Sequence, residues 1–163
     1  MNNNQILAKI FEEIADALEF LGDNPFRVRA YRTAANVLEG LPEDISVYIN
    51  RNEKIYGIGE ELREKIIEFL NTGKIKKHEE LLSKIPRGIF EIMKIPYIGP
   101  KTAKLLYDYF NVDSIEKLKK VLESGQLLKI RGFGIKKIEN IKKGLELYKK
   151  LSESFAIGEV YQD

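Results

Sequence analysis

Apolar residues recur along this chain at helical spacing almost from end to end. Ile6, Leu7, Ile10, Phe11, Ile14, Leu18 and Leu21 fall mostly three or four apart, which predicts an amphipathic helix over residues 4–21. Gly22 and Asp23 close it. Asn24-Pro25 opens a second helix running to about Glu39, with asparagine as cap and proline at the first helical position. Gly40-Leu41-Pro42 breaks that helix, and a short third one carries Ile45, Val47 and Ile49. Helices are expected next over residues 60–72, closed by Gly73, and over residues 76–84. Pro86-Arg87-Gly88 marks a domain boundary. Beyond it come helices at 89–94, 102–110 and 114–123, the last capped by Ser114 and stopped by Gly125, then a long final helix from 135 to about 151. No segment alternates with period two, so no sheet is expected. The predicted fold is all-α, with two small helical domains at 1–85 and 86–151 and a tail at 152–163 that reads as a linker.

Three of the breaks between helices share one pattern. They are Ile55-Tyr56-Gly57-Ile58-Gly59, Ile95-Pro96-Tyr97-Ile98-Gly99-Pro100 and Ile130-Arg131-Gly132-Phe133-Gly134. Each follows an apolar helical stretch and precedes another, which is a helix-hairpin-helix arrangement. Glycine lets the backbone turn sharply and come close to a partner. The free N–H groups and positive dipole end of the following helix then suit a phosphate. The intervening helices differ, so this is motif duplication rather than a solenoid. Such hairpins also offer carbonyls to a monovalent cation, Na+ or K+, that touches a DNA phosphate. By motif position these belong to Glu53, Ile55 and Ile58, to Met93, Ile95 and Ile98, and to Leu128, Ile130 and Phe133. Contacts of this kind carry no base information, so binding would be independent of sequence and would respond to backbone shape, such as a gap, nick or flap. Two blander readings compete: the glycines cap helices in an all-α core, or the hairpins are scaffold for a protein-interaction module. Tyr97, standing where the pattern prefers glycine, fits the motif least.

Charge favours nucleic acid. The net charge of +2 conceals 11 Lys/Arg against 15 Asp/Glu in residues 1–83 and 16 against 7 in residues 84–150. A basic half clustered around hairpins is what binding to a phosphate backbone uses. Absence of cysteine excludes disulfides and thiolate zinc sites, and the single histidine, His78, cannot build a histidine-rich metal site. With no apolar run near the roughly 20 residues that span a bilayer, and no basic flank at the N-terminus, a soluble intracellular protein of the cytoplasm or nucleoid is expected, with no membrane partner.

Several segments then resemble one family. Arg29-Ala30-Tyr31-Arg32-Thr33-Ala34-Ala35-Asn36-Val37-Leu38 resembles the signature helix in the N-terminal domain of family X DNA polymerases, the DNA polymerase beta group. The first hairpin, with Lys65-Ile66-Ile67-Glu68-Phe69-Leu70-Asn71-Thr72-Gly73-Lys74, resembles the hairpin and following helix of that domain. Ile98-Gly99-Pro100-Lys101-Thr102-Ala103 resembles the hairpin of the next, DNA-gripping domain, and the third hairpin is similar to those of bacterial and archaeal members. Order and spacing match over roughly residues 5–150.

The resemblance implies DNA repair as the process, gapped, nicked or 5′-phosphate-ended DNA as the partner, and other repair proteins as further partners. It implies a lyase site in which a lysine amine forms a Schiff base with a 5′-deoxyribose phosphate; alignment on Gly57-Ile58-Gly59 places that lysine at Lys65, beside Glu64. Tyr31 and Arg27 match residues that hold the 5′-phosphate, and Phe26 matches a ring that stacks on DNA. Glu53 and Glu61 stand where the animal enzyme has phosphate-pocket lysines, which would repel phosphate and disfavour a neutral Lys65; Lys54 or Arg63 would compensate. The family's palm carboxylates are another matter. Two-metal nucleotidyl transfer needs clustered carboxylates, and this chain holds no Asp-x-Asp, so it is not expected to polymerise DNA alone. The sequence therefore reads as a DNA-backbone binder contacting phosphate near Gly59, Gly99 and Gly134 with help from Lys101, Lys104, Lys136 and Lys137, with lyase activity and protein interaction as the alternatives.

Overall fold

The computed structural model describes residues 2–162, with side-chain surroundings through residue 153. It is all-α: among the described residues there is no strand. The chain separates into two compact units, Met1–Ile85 and Pro86–Asp163.

The first unit is built on α1 (Asn3–Phe20) and α2 (Pro25–Gly40), which pack extensively on one another. Leu7, Phe11, Ile14, Leu18, Tyr31, Ala34 and Leu38 are buried in this unit, as the apolar spacing of each helix requires. Asn2 and Gln5 form a reciprocal capping box at the start of α1, and Asn24 caps α2 ahead of Pro25. Arg32 on α2 holds three carboxylates of α1, with N···O distances of 2.9 Å to Glu12, 3.0 Å to Asp16 and 3.3 Å to Glu19. Buried Asn4 donates to the Glu43 carbonyl and accepts from the Ile45 amide, tying the start of α1 to that of α3 (Ile45–Asn50). Then come α4 (Glu60–Thr72), ended by left-handed Gly73, and α5 (Lys76–Lys84), which packs on α1.

The second unit holds α6 (Arg87–Met93), α7 (Pro100–Phe110), α8 (Ile115–Ser124), a short 3-10 turn (Gln126–Lys129) and α9 (Ile135–Gln162). Two glycines inside helices set its packing. A Cβ on Gly88 would stand 1.8 Å from the Asp113 carbonyl oxygen, and one on Gly144 would stand 2.0 Å from that of Pro96. Helix α6 therefore lies directly against the backbone after α7, and α9 against the turn of the second hairpin. Gly88, in the Pro86-Arg87-Gly88 stretch at the boundary of the units, is a packing residue within α6.

Two further differences from expectation have local causes. The 3-10 turn over Gln126–Lys129 follows left-handed Gly125, in a stretch for which the apolar spacing predicts no element. Helix α9 continues past the expected end near Leu151 to Gln162, with no proline to stop it and with Gly158 inside it, a single glycine costing a helix only about 1 kcal/mol; Asp163, the end of the expected tail, lies outside the described residues.

Candidate nucleic-acid interface

The three hairpins have the same backbone construction. In each, the apolar residue that enters the turn accepts from the amide three positions on: Ile58 N to Ile55 O at 3.1 Å, Ile98 N to Ile95 O at 3.1 Å, and Phe133 N to Ile130 O at 3.2 Å. The middle residue is left-handed in every copy, with φ of 91° at Gly57, 75° at Tyr97 and 102° at Gly132. Tyrosine at this position is held in a conformation that glycine adopts without cost. The hairpin's closing glycine then starts the next helix, its carbonyl accepting from Arg63 N at 2.9 Å, Ala103 N at 2.9 Å or Ile138 N at 3.1 Å. Buried Ile55, Ile58, Ile95, Ile98 and Phe133 anchor the turns in their units.

The two glycine positions do different jobs. A Cβ on Gly57 would meet the Val37 methyl at 2.7 Å, so this turn is seated on α2. Gly59, Gly99 and Gly134 meet nothing within 4 Å. Gly59 and Gly99 have extended backbone, φ −79° and −95°, that any residue adopts. Neither conformation nor internal packing requires glycine there. What its missing side chain clears is space outside the chain, over the start of the helix. At Gly59 and Gly99 no side chain caps that helix start, so its first amides, which have no intrahelical partner, face that space.

Charge at the three helix starts is unequal. Glu60 and Glu61 occupy the first turn of α4. The first turns of α7 and α9 carry no acid and present Lys101, Lys136 and Lys137. Lys101 and Lys136 are exposed; Lys137 lies 5.2 Å from the centre of the Phe133 ring, and Lys104 pairs with Asp108 at 3.2 Å. The second and third hairpins are thus suited to an anion, and the first is acidic at the same place.

Comparison with known proteins finds one family match in each half of the chain. Residues 2–75 match a helix-hairpin-helix domain, and residues 90–146 match a SAM-like helix-hairpin-helix tandem. The chain is 34% identical over 152 residues to DNA polymerase/3′-5′ exonuclease PolX of Bacillus subtilis, an alignment covering 93% of this chain and 26% of PolX. This chain belongs with the N-terminal region of the family X DNA polymerases. It is also 29% identical over 107 residues to rat DNA polymerase lambda, covering 65% of this chain and 18% of that protein. The chain spans about a quarter or less of the length of these relatives.

Residues matching the family X lyase site fall on two helices of the first unit, Phe26, Arg27 and Tyr31 on α2 and Glu64 and Lys65 on α4, and not all of them are open to solvent. Lys65 is half-exposed on α4, next to exposed Glu64. Phe26 is 76% exposed at the start of α2, open to stacking, and Arg27 pairs loosely with Asp23 at 3.7 Å. Tyr31 is 1% exposed and packs edge-on against Phe11 at 5.4 Å between ring centres. Its place is the core, because its position on α2 falls on the apolar face with Val28, Ala34 and Leu38. Burial, and next the Glu61 carboxylate, push its phenol well above the usual range, with Arg27 pulling weakly the other way. Glu61 therefore lies in the electrostatic neighbourhood of Tyr31. Among the described residues no group of three His, Cys, Asp or Glu side chains converges to hold a metal ion.

Carbonyls suit a hard monovalent cation, and helix ends leave some of them without intrahelical partners. Met93 ends α6 and Leu128 lies in the 3-10 turn, so the second and third hairpins are entered from such ends. At the first hairpin the Glu53 carbonyl accepts from Arg63 Nη1 at 3.0 Å. That contact spans ten residues and had no signature in the sequence. Nor had the two close-approach glycines, 88 and 144, which only a neighbouring backbone reveals.

Proposed function

We propose that this chain grips the sugar–phosphate backbone of gapped, nicked or 5′-phosphate-ended DNA without reading bases, as part of DNA repair. The observation that carries the reading is the set of open glycines, Gly59, Gly99 and Gly134, each clearing the approach to a helix start that neither conformation nor packing reserves for glycine. Lys101, Lys136 and Lys137 supply the charge, and Lys104 adds to it across α7. The second and third hairpins hold duplex, with Na+ or K+ on the carbonyls of Met93, Ile95 and Ile98 and of Leu128, Ile130 and Phe133. The first hairpin and Phe26 address the strand beyond the gap.

Titration against gapped, nicked and blunt duplexes of unrelated sequence tests this. With about four phosphates neutralised, affinity should fall roughly a hundredfold between 50 and 200 mM salt, independently of sequence. The gapped, 5′-phosphorylated duplex should bind best. A flat salt response would move the chain to the protein-interaction reading. Borohydride trapping on a 5′-deoxyribose phosphate end tests lyase chemistry at Lys65. The acidic surroundings, Glu61 above all, argue for binding without a covalent adduct.

A further inference from the structure

The carbonyl set of the first hairpin does not fit a monovalent cation in the way the other two do, because one of its oxygens already holds a charge. Arg63 Nη1 donates to the Glu53 carbonyl at 3.0 Å, and Nη2 donates to Asn52 Oδ1 at 3.1 Å. Asn52 is itself left-handed, φ 53°, at the end of α3, where its amide bonds back to the Ile49 carbonyl and that of Glu53 to Tyr48. The backbone there is therefore fixed in a form that presents an amide oxygen and a carbonyl to the guanidinium. Arg63 lines a single groove with Asn52, Lys54, Ile55, Ile58, Gly59 and Glu60, so the guanidinium shares that space with the turn, the open glycine and one carboxylate.

The residue four after the closing glycine is Arg63 in the first copy, buried Ala103 in the second and buried Ile138 in the third. We propose that Arg63 is the built-in cation of the first hairpin: its guanidinium replaces Na+ or K+ against the Glu53 carbonyl and meets the DNA phosphate directly. A guanidinium has five N–H donors, and the two protein contacts use two of them. Those remaining suit a phosphate oxygen in a charge-assisted bond. The same charge offsets Glu60 and Glu61 at the start of α4, which would otherwise repel that phosphate.

This inference rests on the backbone-gripping reading above, and the two fail differently. The experiment measures affinity of the full chain and of Arg63→Ala for a gapped, 5′-phosphorylated duplex at one ionic strength. The salt is either potassium or tetramethylammonium chloride, the latter cation being too large to ligate carbonyls. Arg63→Ala should bind roughly tenfold more weakly than the parent in tetramethylammonium. Potassium should recover most of that loss by occupying the vacated carbonyls. Amide signals of Gly57, Ile58 and Gly59 should respond to potassium in the variant and not in the parent. An equal penalty in both salts, or a potassium response of those amides in the parent, would overturn the proposal and leave Arg63 a structural latch. Arg63→Met, which keeps the apolar stem without donor or charge, repeats the comparison if the alanine variant unfolds. Failure of the parent to bind the duplex in either salt would instead remove the DNA reading itself.

Discussion

Replacing Gly144 by alanine should destabilise the second unit even though alanine is the better helix former. Intrinsic propensity alone favours alanine by about 1 kcal/mol in a helix interior. Opposing it, the new Cβ would lie 2.0 Å from the Pro96 oxygen, 2.9 Å from the Pro96 carbonyl carbon and 3.3 Å from Ile95 Cγ2. An ordinary carbon–oxygen contact is about 3.3 Å, so α9 and the turn must part by roughly 1.3 Å. No side chain can rotate away to relieve this, because the obstacle is backbone held by the Ile98 N to Ile95 O turn bond. Overpacking of a well-packed site costs about 1–3 kcal/mol, and a gap of even 0.5–1 Å forfeits roughly a quarter to a half of each dispersion contact it crosses. Ile95, Ile98, Ile141 and Leu145, all buried in this unit, stand to lose such contacts. The net expectation is a loss of about 2 kcal/mol, which for a unit of this size lowers the midpoint by roughly 8–16 °C. Thermal and urea unfolding followed by circular dichroism would read it, with Gly134→Ala, open on every side, as the control. A Gly144→Ala protein as stable as the parent would refute the close-approach argument.

Two other expectations can be checked on the same instruments. Tyr97→Gly should stabilise the second unit by about 1 kcal/mol, since it relieves a left-handed tyrosine that is 58% exposed and contributes little burial; a lower midpoint would show that the ring packs more than its exposure implies. The Asp44 carboxylate caps α3, and hydrogen bonds from the Ser46 hydroxyl, the Ser46 amide and Asn3 hold its pKa below the usual 3.8. Its contribution is therefore present above about pH 4 and lost as pH falls through the depressed value. Asp44→Ala should cost about 1 kcal/mol at pH 7 and progressively less in acid; a penalty that does not change with pH would contradict the capping account.

How much the sequence revealed depended on the range of each interaction. The helices at 60–72 and 76–84 were legible to the residue, because Gly73 and the flanking apolar spacing are local signals. The hairpins were legible because Gly57 and Gly132 mark a left-handed backbone position, and even Tyr97 adopts the conformation that position demands. Tyr31 was read through its family counterpart as a phosphate contact, whereas its place on the apolar face of α2 puts it in the core. The roles of Gly88, Gly144 and Arg63 arise from backbone atoms distant in sequence, and no periodicity encodes them.

The central claim is that the open glycines reserve space for DNA phosphates. The most direct test is the affinity of a Gly99→Val, Gly134→Val double variant for the gapped duplex at low salt, measured beside its helicity. Valine suits the extended φ of residue 99, and a Cβ at either position has nothing within 4 Å, so the fold should lose no more than about 1 kcal/mol per cap. Affinity should fall roughly tenfold for each blocked phosphate, about a hundredfold for the pair, with the helical signal intact. Undiminished binding by a folded double variant would contradict the account.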